Sequence, residues 1–561
     1  MRAPAAWITT AIAVAASWSS SSSCCCWARV VHVSWDIGYV SVNRDGYAAR
    51  RAIGVNGALP IPALHVSAGD TIALHVRNSL DEPTAVHFHG LFQNGTAYGD
   101  GAGMTTQCGI PPGGSHTYVA ATGRQTGTFW VHGHFHDQNA DGLRAPLVIH
   151  EAVPPADYDA EYLFSLEDWY DQPFADRMRV VLDPRGKFPP DPSFPYGLVN
   201  GYSGNETQPI RFEPGRRYRI RVVNMSLTEW FRFSLPGHRL RVIEADGVRA
   251  QPCDVDALDL GPAQRYSAIV QAHDSVAANY IYNATLYANF VPRVAGMNPR
   301  VYLGSVEYAP DAPTHAPPPP ASDAALQLPD DSAMQALDGE PLLEPVDARI
   351  SLLATSHKYA DGTTRALFEG LAPFNMSVPA VPALFTAASV GQLALDPAVY
   401  GPQACAHVLR HLDVVEIEVR NPTDIDHPFH MHGHTFQIVE YGPAKAGGGQ
   451  NATAAAKVPL RRTSRIPMRR DTLVVRTGEY VRIRFRADNP GVWLFHCHMD
   501  VHFALGLAIT LVEAPDVLQQ RMAIPQELVN MCLAQDGLHA SGNAAGNAGL
   551  DMSGILPPPA W

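Results

Sequence analysis

Residues His496-Cys497-His498, inside the run Gly491-Val-Trp-Leu-Phe-His-Cys-His-Met-Asp-Val-His502, join thiolate and imidazole ligands in a stretch of β-formers without helical period. A strand is expected through this run. Side chains on a strand alternate faces, so His496 and His498 point one way and Cys497 the other. Cys497 and His502 can then hold one metal while His496 and His498 hold metal on the opposite side, a few covalent bonds away. A thiolate with two imidazoles is the ligand set of a blue copper site, and the adjacency suits electron transfer between copper centres.

A single His-x-His among 24 histidines carries no weight, and a lone His-Cys-His would fit zinc or a buried core equally. This chain has further pairs at His87/His89, His132/His134 and His430/His432, and they repeat. Asn78 ends one apolar strand run, and nine residues later comes His87-Phe-His89-Gly90. Asn421 ends another, and nine residues later comes His430-Met-His432-Gly433. Gly127-Thr-Phe-Trp-Val-His132-Gly-His134 matches Gly491 to His498 with the histidines at the same offsets. A third copy, Tyr218 to Asn224, is followed at the equivalent positions by Phe233 and Leu235, so it has lost its ligands. Such self-similarity predicts three related β domains with metal only in the first and third. The pairs supply four imidazoles from each end domain, which suits a cluster held between them. His427, Cys497 and His502 occur only in the third copy and form a separate mononuclear site. This set is too large for one ion and too rich in nitrogen for calcium or magnesium, which leaves copper as the best fit.

The scaffold must therefore be long and β-rich. At 561 residues, with 45 Gly, 47 Pro and many short Val/Ile/Thr/Tyr/Phe runs, an all-β chain of three consecutive β-sandwich domains is expected. The expected boundaries are 28–152, 153–309 (no copper ligands) and 348–535. A Pro-rich linker is expected over 310–347, an exposed loop over 443–465 and a loose Gly/Ala/Asn-rich tail over 536–561. Residues 1–27 hold a short secretory-type signal and an N-terminal segment with the unusual triplet Cys24-Cys25-Cys26. A net charge of −13 argues against a nucleic-acid partner. Sequons at Asn94, Asn205, Asn224, Asn283, Asn375 and Asn451 fit a glycosylated extracellular chain. No later apolar stretch approaches 20 residues, and the C-terminus offers no lipid-anchor tail. A soluble secreted chain is expected, or one at the cell surface if an anchor has been truncated. In an oxidising compartment Cys108 with Cys532 is the favoured disulfide, clamping the first domain to the end of the third. Cys253 and Cys405 read equally as buried free thiols.

His87-Phe-His-Gly, Trp130-Val-His-Gly-His, His427-Pro-Phe-His-Met-His-Gly-His and His496-Cys-His-x3-His502 resemble the four copper-binding motifs of the three-domain multicopper oxidases. That family includes laccases, ascorbate oxidases and fungal cell-surface ferroxidases, and the likeness spans about residues 30–550. It implies cupredoxin-like Greek-key domains and four copper ions. It further implies His427, Cys497 and His502 at the type 1 copper, and His87 and His430 at the type 2 copper. His89, His132, His134, His432, His496 and His498 would hold the type 3 pair. Leu507 falls at the weak axial position, where it cannot coordinate and should raise the potential. His434 and His136 match no ligand position, and His136 reads as a neighbour of the ligands or a surface residue. Electrons from a reductant would enter at the type 1 copper and pass through Cys497 to the cluster, where O2 becomes two waters. Asp100 and Asp500 match acids that relay protons in the family. Each equally fits a solvated loop or a hydrogen bond to a ligand histidine. A monomer is expected.

The reductant is less legible. His87-Phe-His-Gly-Leu-Phe-Gln-Asn-Gly-Thr96, Thr106-Gln-Cys108, Pro467-Met-Arg-Arg-Asp-Thr472, Ala487–Val492 and Gly542–Asn547 resemble the fungal iron-transport branch. Fe(II) needs hard carboxylate oxygens beside the type 1 histidines. This chain offers Asp191 before Pro192 in a domain-two loop, and Asp424 and Asp426 beside His427, with Thr423 where the branch has an aspartate. Phe290-Val-Pro-Arg293 carries no acid. Fe(II) is preferred, with an iron permease as partner if the chain is membrane-associated. A laccase acting on phenols or pigment precursors is the alternative. A copper-storage protein is disfavoured because storage needs no electron path, and a copper nitrite reductase lacks the His-Cys-His linkage to a trinuclear site.

Overall fold

The computed structural model describes residues 28–557 apart from 45–48, 137, 154–155, 186–195, 204–208, 276–277, 288–299, 316–325 and 445–457. The signal segment, the cysteine triplet, Asp191, Phe290–Arg293, Asn205 and Asn451 lie outside the described residues.

The strands form three two-sheet units in sequence, of four and four, six and five, and seven and five strands. The same parallel pairing recurs at the start of each: Val30–Val42 beside Thr71–Asn78, Ala160–Trp169 beside Arg217–Asn224, and Ala348–Lys358 beside Val414–Arg420. Neighbours in these sheets are often not consecutive in sequence, as in Greek-key sandwiches. The repeated asparagine has a structural cause. Asn78 Nδ2 donates to the carbonyls of Glu82 and Ile110, each at 2.8 Å. Asn224 does the same to Glu229 and Leu260, and Asn421 to Ile425 and Val475. Each amide satisfies buried backbone where the strand leaves its sheet. Asn224 is thus fully buried and its sequon cannot carry glycan in the folded chain, whereas Asn94 and Asn375 are exposed.

One apolar cluster runs continuously through the first and third domains, from Trp35 and Phe88 to Phe429 and Trp493. The middle domain has its own, around Phe164, Phe233 and Tyr282. The first and third domains are thus packed as one body, which can hold a site between them. Cys108 and Cys532 form the disulfide, and Cys253 and Cys405 are free.

Three expectations need correction. The strand Gly491–Cys497 stops at the cysteine, and Asp500–Leu505 is a short helix, so His502 returns to Cys497 by a turn of helix rather than by strand alternation. The described parts of the Pro-rich linker, 310–315 and 326–347, do run outside the helices and strands. It is nonetheless fastened: Ser332, Met334 and Ala336 are buried, and Asp331 pairs with Arg470 at 2.9 Å. The tail is not loose through 538–553. Asn543 is buried, its Oδ1 accepting from Ala545 and Asn547 and its Nδ2 donating to Asp551, while Ala544 N bonds Val399 O. Gly and Asn here serve tight turns (Gly542 and Gly546 have φ +99° and +81°) rather than disorder. The 443–465 loop mostly lies outside the described residues.

Candidate metal centre

Each end domain builds half the site in the same way. His87 sits opposite His132 across the antiparallel strands Val86–His89 and Gly127–Gly133. His430 sits opposite His496 across His427–Met431 and Gly491–Cys497. The two halves face each other: His87 stacks on His432 at 4.0 Å and His89 on His430 at 3.7 Å between ring centroids. All eight imidazoles are buried.

The hydrogen bonds decide which nitrogen each ring turns inward. His87 Nδ1 bonds Asp100 O at 2.7 Å, His132 Nδ1 bonds Gly133 O at 3.0 Å, and His430 Nδ1 bonds Asp471 O at 2.9 Å. His496 Nδ1 bonds Cys497 O at 3.0 Å and His432 Nδ1 bonds the Asp100 carboxylate at 2.8 Å. In these five rings the N–H must be on Nδ1, since each partner only accepts, which leaves a bare Nε2. His89 is reversed, with Nε2 on Asp471 and Thr472 and a bare Nδ1. The Nε2 atoms of His87, His132 and His430, Nδ1 of His89 and both nitrogens of His498 are buried without a partner. Nε2 of His432 and Nε2 of His496 stand 3.3 Å apart, lone pair towards lone pair. Buried polar atoms are rarely left unsatisfied, and so many converging lone pairs fit metal cations. Burial keeps the rings neutral: it pushes His432 down to about 4 and His498 to about 3.

On the other face of the same strand, Cys497 Sγ lies 3.5 Å from Nδ1 of His427 and 3.5 Å from Nδ1 of His502, all buried. Burial raises the Cys497 thiol far above its ordinary range, so a bound cation is what would stabilise the thiolate. Leu507 borders the same small cavity as His427 and His502 and offers no donor atom. A soft thiolate with two imidazoles beside an all-imidazole cluster fits copper at both sites.

The other expected residues separate. Asp100 accepts from His432 and lies 3.3 Å from His87, and these partners hold its carboxyl well below the usual range against the opposing effect of burial. Asp500 is half-buried, accepts from Asn139 Nδ2 at 2.8 Å, and is pushed up to about 7 by desolvation. Asp424 lines the cavity with His427 and His502. Asp426 instead accepts from Thr477 N and faces, with Asp424, a larger cleft of about 770 Å³ between the second and third domains. His136 is exposed and meets Ser377, and His434 is held by Glu513 at 2.7 Å, so neither joins the ligands. Sequence reasoning gave no role to Asp471, Thr472 or Arg265. Arg265 carries no motif and approaches from the domain without ligands.

Multicopper oxidase family models match residues 36–153, 160–302 and 375–517. The iron multicopper oxidase fer1 of Mycosarcoma maydis is 37% identical, covering 95% of this chain and 88% of the relative. The iron transport multicopper oxidase fetC of Epichloe festucae is 36% identical, covering 95% and 84%. The crystal structure of Fet3p, a multicopper oxidase that functions in iron import, superposes with a TM-score of 0.83 at 29% identity, covering 94% of this chain and 98% of that one. A laccase from Botrytis aclada shares the fold, with a TM-score of 0.69 at 24% identity over 91% of each chain.

Proposed function

The chain belongs to the multicopper oxidase family, and from that premise we propose that it is a ferroxidase, using Fe(II) as reductant and O2 as acceptor. The observation that carries the oxidase reading is Cys497, whose sulfur faces two imidazoles while its peptide neighbours His496 and His498 belong to the opposite cluster.

Four bound copper ions supply the redox chemistry: one-electron acceptance at the thiolate site and four-electron reduction of O2 to two waters at the cluster. The protein's part is positioning and proton handling. Backbone carbonyls and Asp100 fix the imidazole tautomers, which pre-organises the donors. We assign His87 and His430 to the type 2 ion, and His89, His132, His134, His432, His496 and His498 to the type 3 pair. Asp500 keeps its proton up to about neutral pH beside Asn139, which suits a group that delivers protons for water formation. Asp100 keeps a carboxylate against His432.

Support for iron comes from Asp424, a hard oxygen ligand in the wall of the cavity that holds His427 and His502, and from the iron-transport relatives. Asp426 belongs to the adjacent cleft, and Asp191 remains a candidate from sequence. One observation favours a phenol instead: Ala354, Ile425, Leu505 and Leu507 make that cavity largely apolar. Secretion with glycosylation at exposed sequons, a monomeric state, and an iron permease as partner of a surface-held form complete the proposal. Among the described residues no helix is long and apolar enough to cross a membrane.

Steady-state oxidation of Fe(II) and of a methoxyphenol, with O2 uptake followed, tests the choice. Higher kcat/KM for Fe(II) is expected, and Asp424→Ala should lower it selectively by about tenfold, the scale of one lost charge contact in a partly screened site. Much greater specificity for the phenol would overturn the iron reading, and equal losses on both substrates would remove Asp424 from it.

A further inference from the structure

The middle domain has lost its ligands, yet one of its side chains reaches the cluster. Arg265, on the strand Arg265–Gln271, is fully buried. Its Nε donates to Thr128 O of the first domain at 2.9 Å. Its Nη1 and Nη2 donate to the two oxygens of Asp471 in the third domain, both at 2.7 Å, and Nη1 also reaches Ala263 O at 3.1 Å. One guanidinium thus ties the three domains together where the histidine pairs converge. The contact leaves no spare room: a Cβ on Gly90, next to His89, would lie 2.7 Å from Asp471 Oδ2 and 2.8 Å from Arg265 Nη2.

Asp471 passes this constraint to the ligands. Its Oδ1 lies 3.3 Å from Nε2 of His89, and the Thr472 hydroxyl lies 3.3 Å from the same atom. Thr472 has one hydroxyl proton, and the 2.9 Å contact to Asp471 Oδ1 takes it. Both neighbours of His89 Nε2 are therefore acceptors. The ring must carry its hydrogen on Nε2 and turn Nδ1 inward, opposite to the five rings whose Nδ1–H is bound by an oxygen. Asp471 can accept in this way only as a carboxylate. With both side chains fully buried, the bidentate guanidinium is what holds that charge.

We propose that Arg265 and Asp471, with Thr472, are positioning residues that set which nitrogen of His89 faces the copper cluster, so that the ligand-free domain controls the geometry of the cluster. This rests on the multicopper reading above. In Asp471→Asn an NH2 replaces one of the two oxygens: in the place of Oδ2 it meets Arg265 Nη2 and breaks the bidentate contact, and in the place of Oδ1 it meets Arg265 Nη1, the Thr472 hydroxyl and His89 Nε2. Either rotamer loosens the acceptor that holds the His89 hydrogen on Nε2.

The test uses the full-length, copper-loaded protein and measures copper per chain, the paramagnetic resonance of the cluster ions, and the visible thiolate-to-copper band. Asp471→Asn and Arg265→Met should each weaken copper retention at the cluster by about 10–100-fold. They should also change the cluster resonance while the band from Cys497 stays as in wild type. Full copper content with an unaltered cluster resonance in Asp471→Asn would overturn the proposal. If Arg265→Met does not fold, Thr472→Val removes one acceptor and keeps the ion pair. It should weaken cluster copper by at least about threefold, and no change there would also count against the proposal. A wild-type protein without the thiolate band would defeat the multicopper reading itself. Normal wild-type colour with unaltered variants would defeat this inference alone.

Discussion

Thr423 Oγ1 lies 2.9 Å from Nε2 of His427, on the side of the ring away from Cys497. The hydroxyl gives its own proton to Asn421 Oδ1 at 2.6 Å, so it accepts from His427 Nε2–H and leaves Nδ1 bare towards the sulfur. Asn421, the repeated strand-end asparagine, thereby fixes a ligand tautomer as well as the fold. Thr423→Val should loosen copper at the thiolate site by about tenfold and shift its visible band. Thr423→Asp should raise the ratio of kcat/KM for Fe(II) over a methoxyphenol by about tenfold, because a carboxylate at the ring edge attracts the cation. An unchanged ratio would show that this edge does not select the reductant.

Cys497→Ser replaces a soft ligand by a hydroxyl of similar shape. The protein should fold, keep the cluster copper, lose one copper of four by elemental analysis, and lose its visible colour and O2 uptake. Retained turnover would remove Cys497 from the electron path.

The alternation of His496, Cys497 and His498, the doubled histidine motifs, the three-fold β repeat and the Cys108–Cys532 bridge could be read from the sequence, because each is a local spacing or a residue type with few roles. Arg265 and Asp471 could not be read this way. They are 206 residues apart, and an arginine in a strand is ordinarily a solvated surface residue. His502 does face Cys497, but from a helix rather than a strand, since the β-formers running to Val501 hide the helix that begins at Asp500. The Asn/Gly tail looked loose because composition does not reveal that Asn543 folds the chain around its own amide.

The Cys108–Cys532 disulfide closes a span of 424 residues, with Gln535 Nε2 bonding Gly109 O beside it at 2.9 Å. The double variant Cys108→Ala/Cys532→Ala should lose about 2–5 kcal/mol in denaturant unfolding. A loss under about 0.5 kcal/mol would mean that packing alone holds the joint.

Burial, with His273 nearby, pushes His238 down to about 4. The fold therefore favours its neutral form. Stability from this group is complete above about pH 6.5, the unfolded value, and is lost as pH falls from there through about 4. Calorimetry should show a Tm that declines over this window and a shallower decline in His238→Gln. Parallel curves for the two proteins would contradict it.

Anaerobic titration of the copper-loaded protein with Fe(II), followed by O2, bears most directly on the central claim. The account predicts an intense thiolate-to-copper band that Fe(II) bleaches and O2 restores, with about four ferrous ions oxidised per O2 and no peroxide released. A fully loaded protein that shows no such band, or whose band does not return with O2, would contradict it.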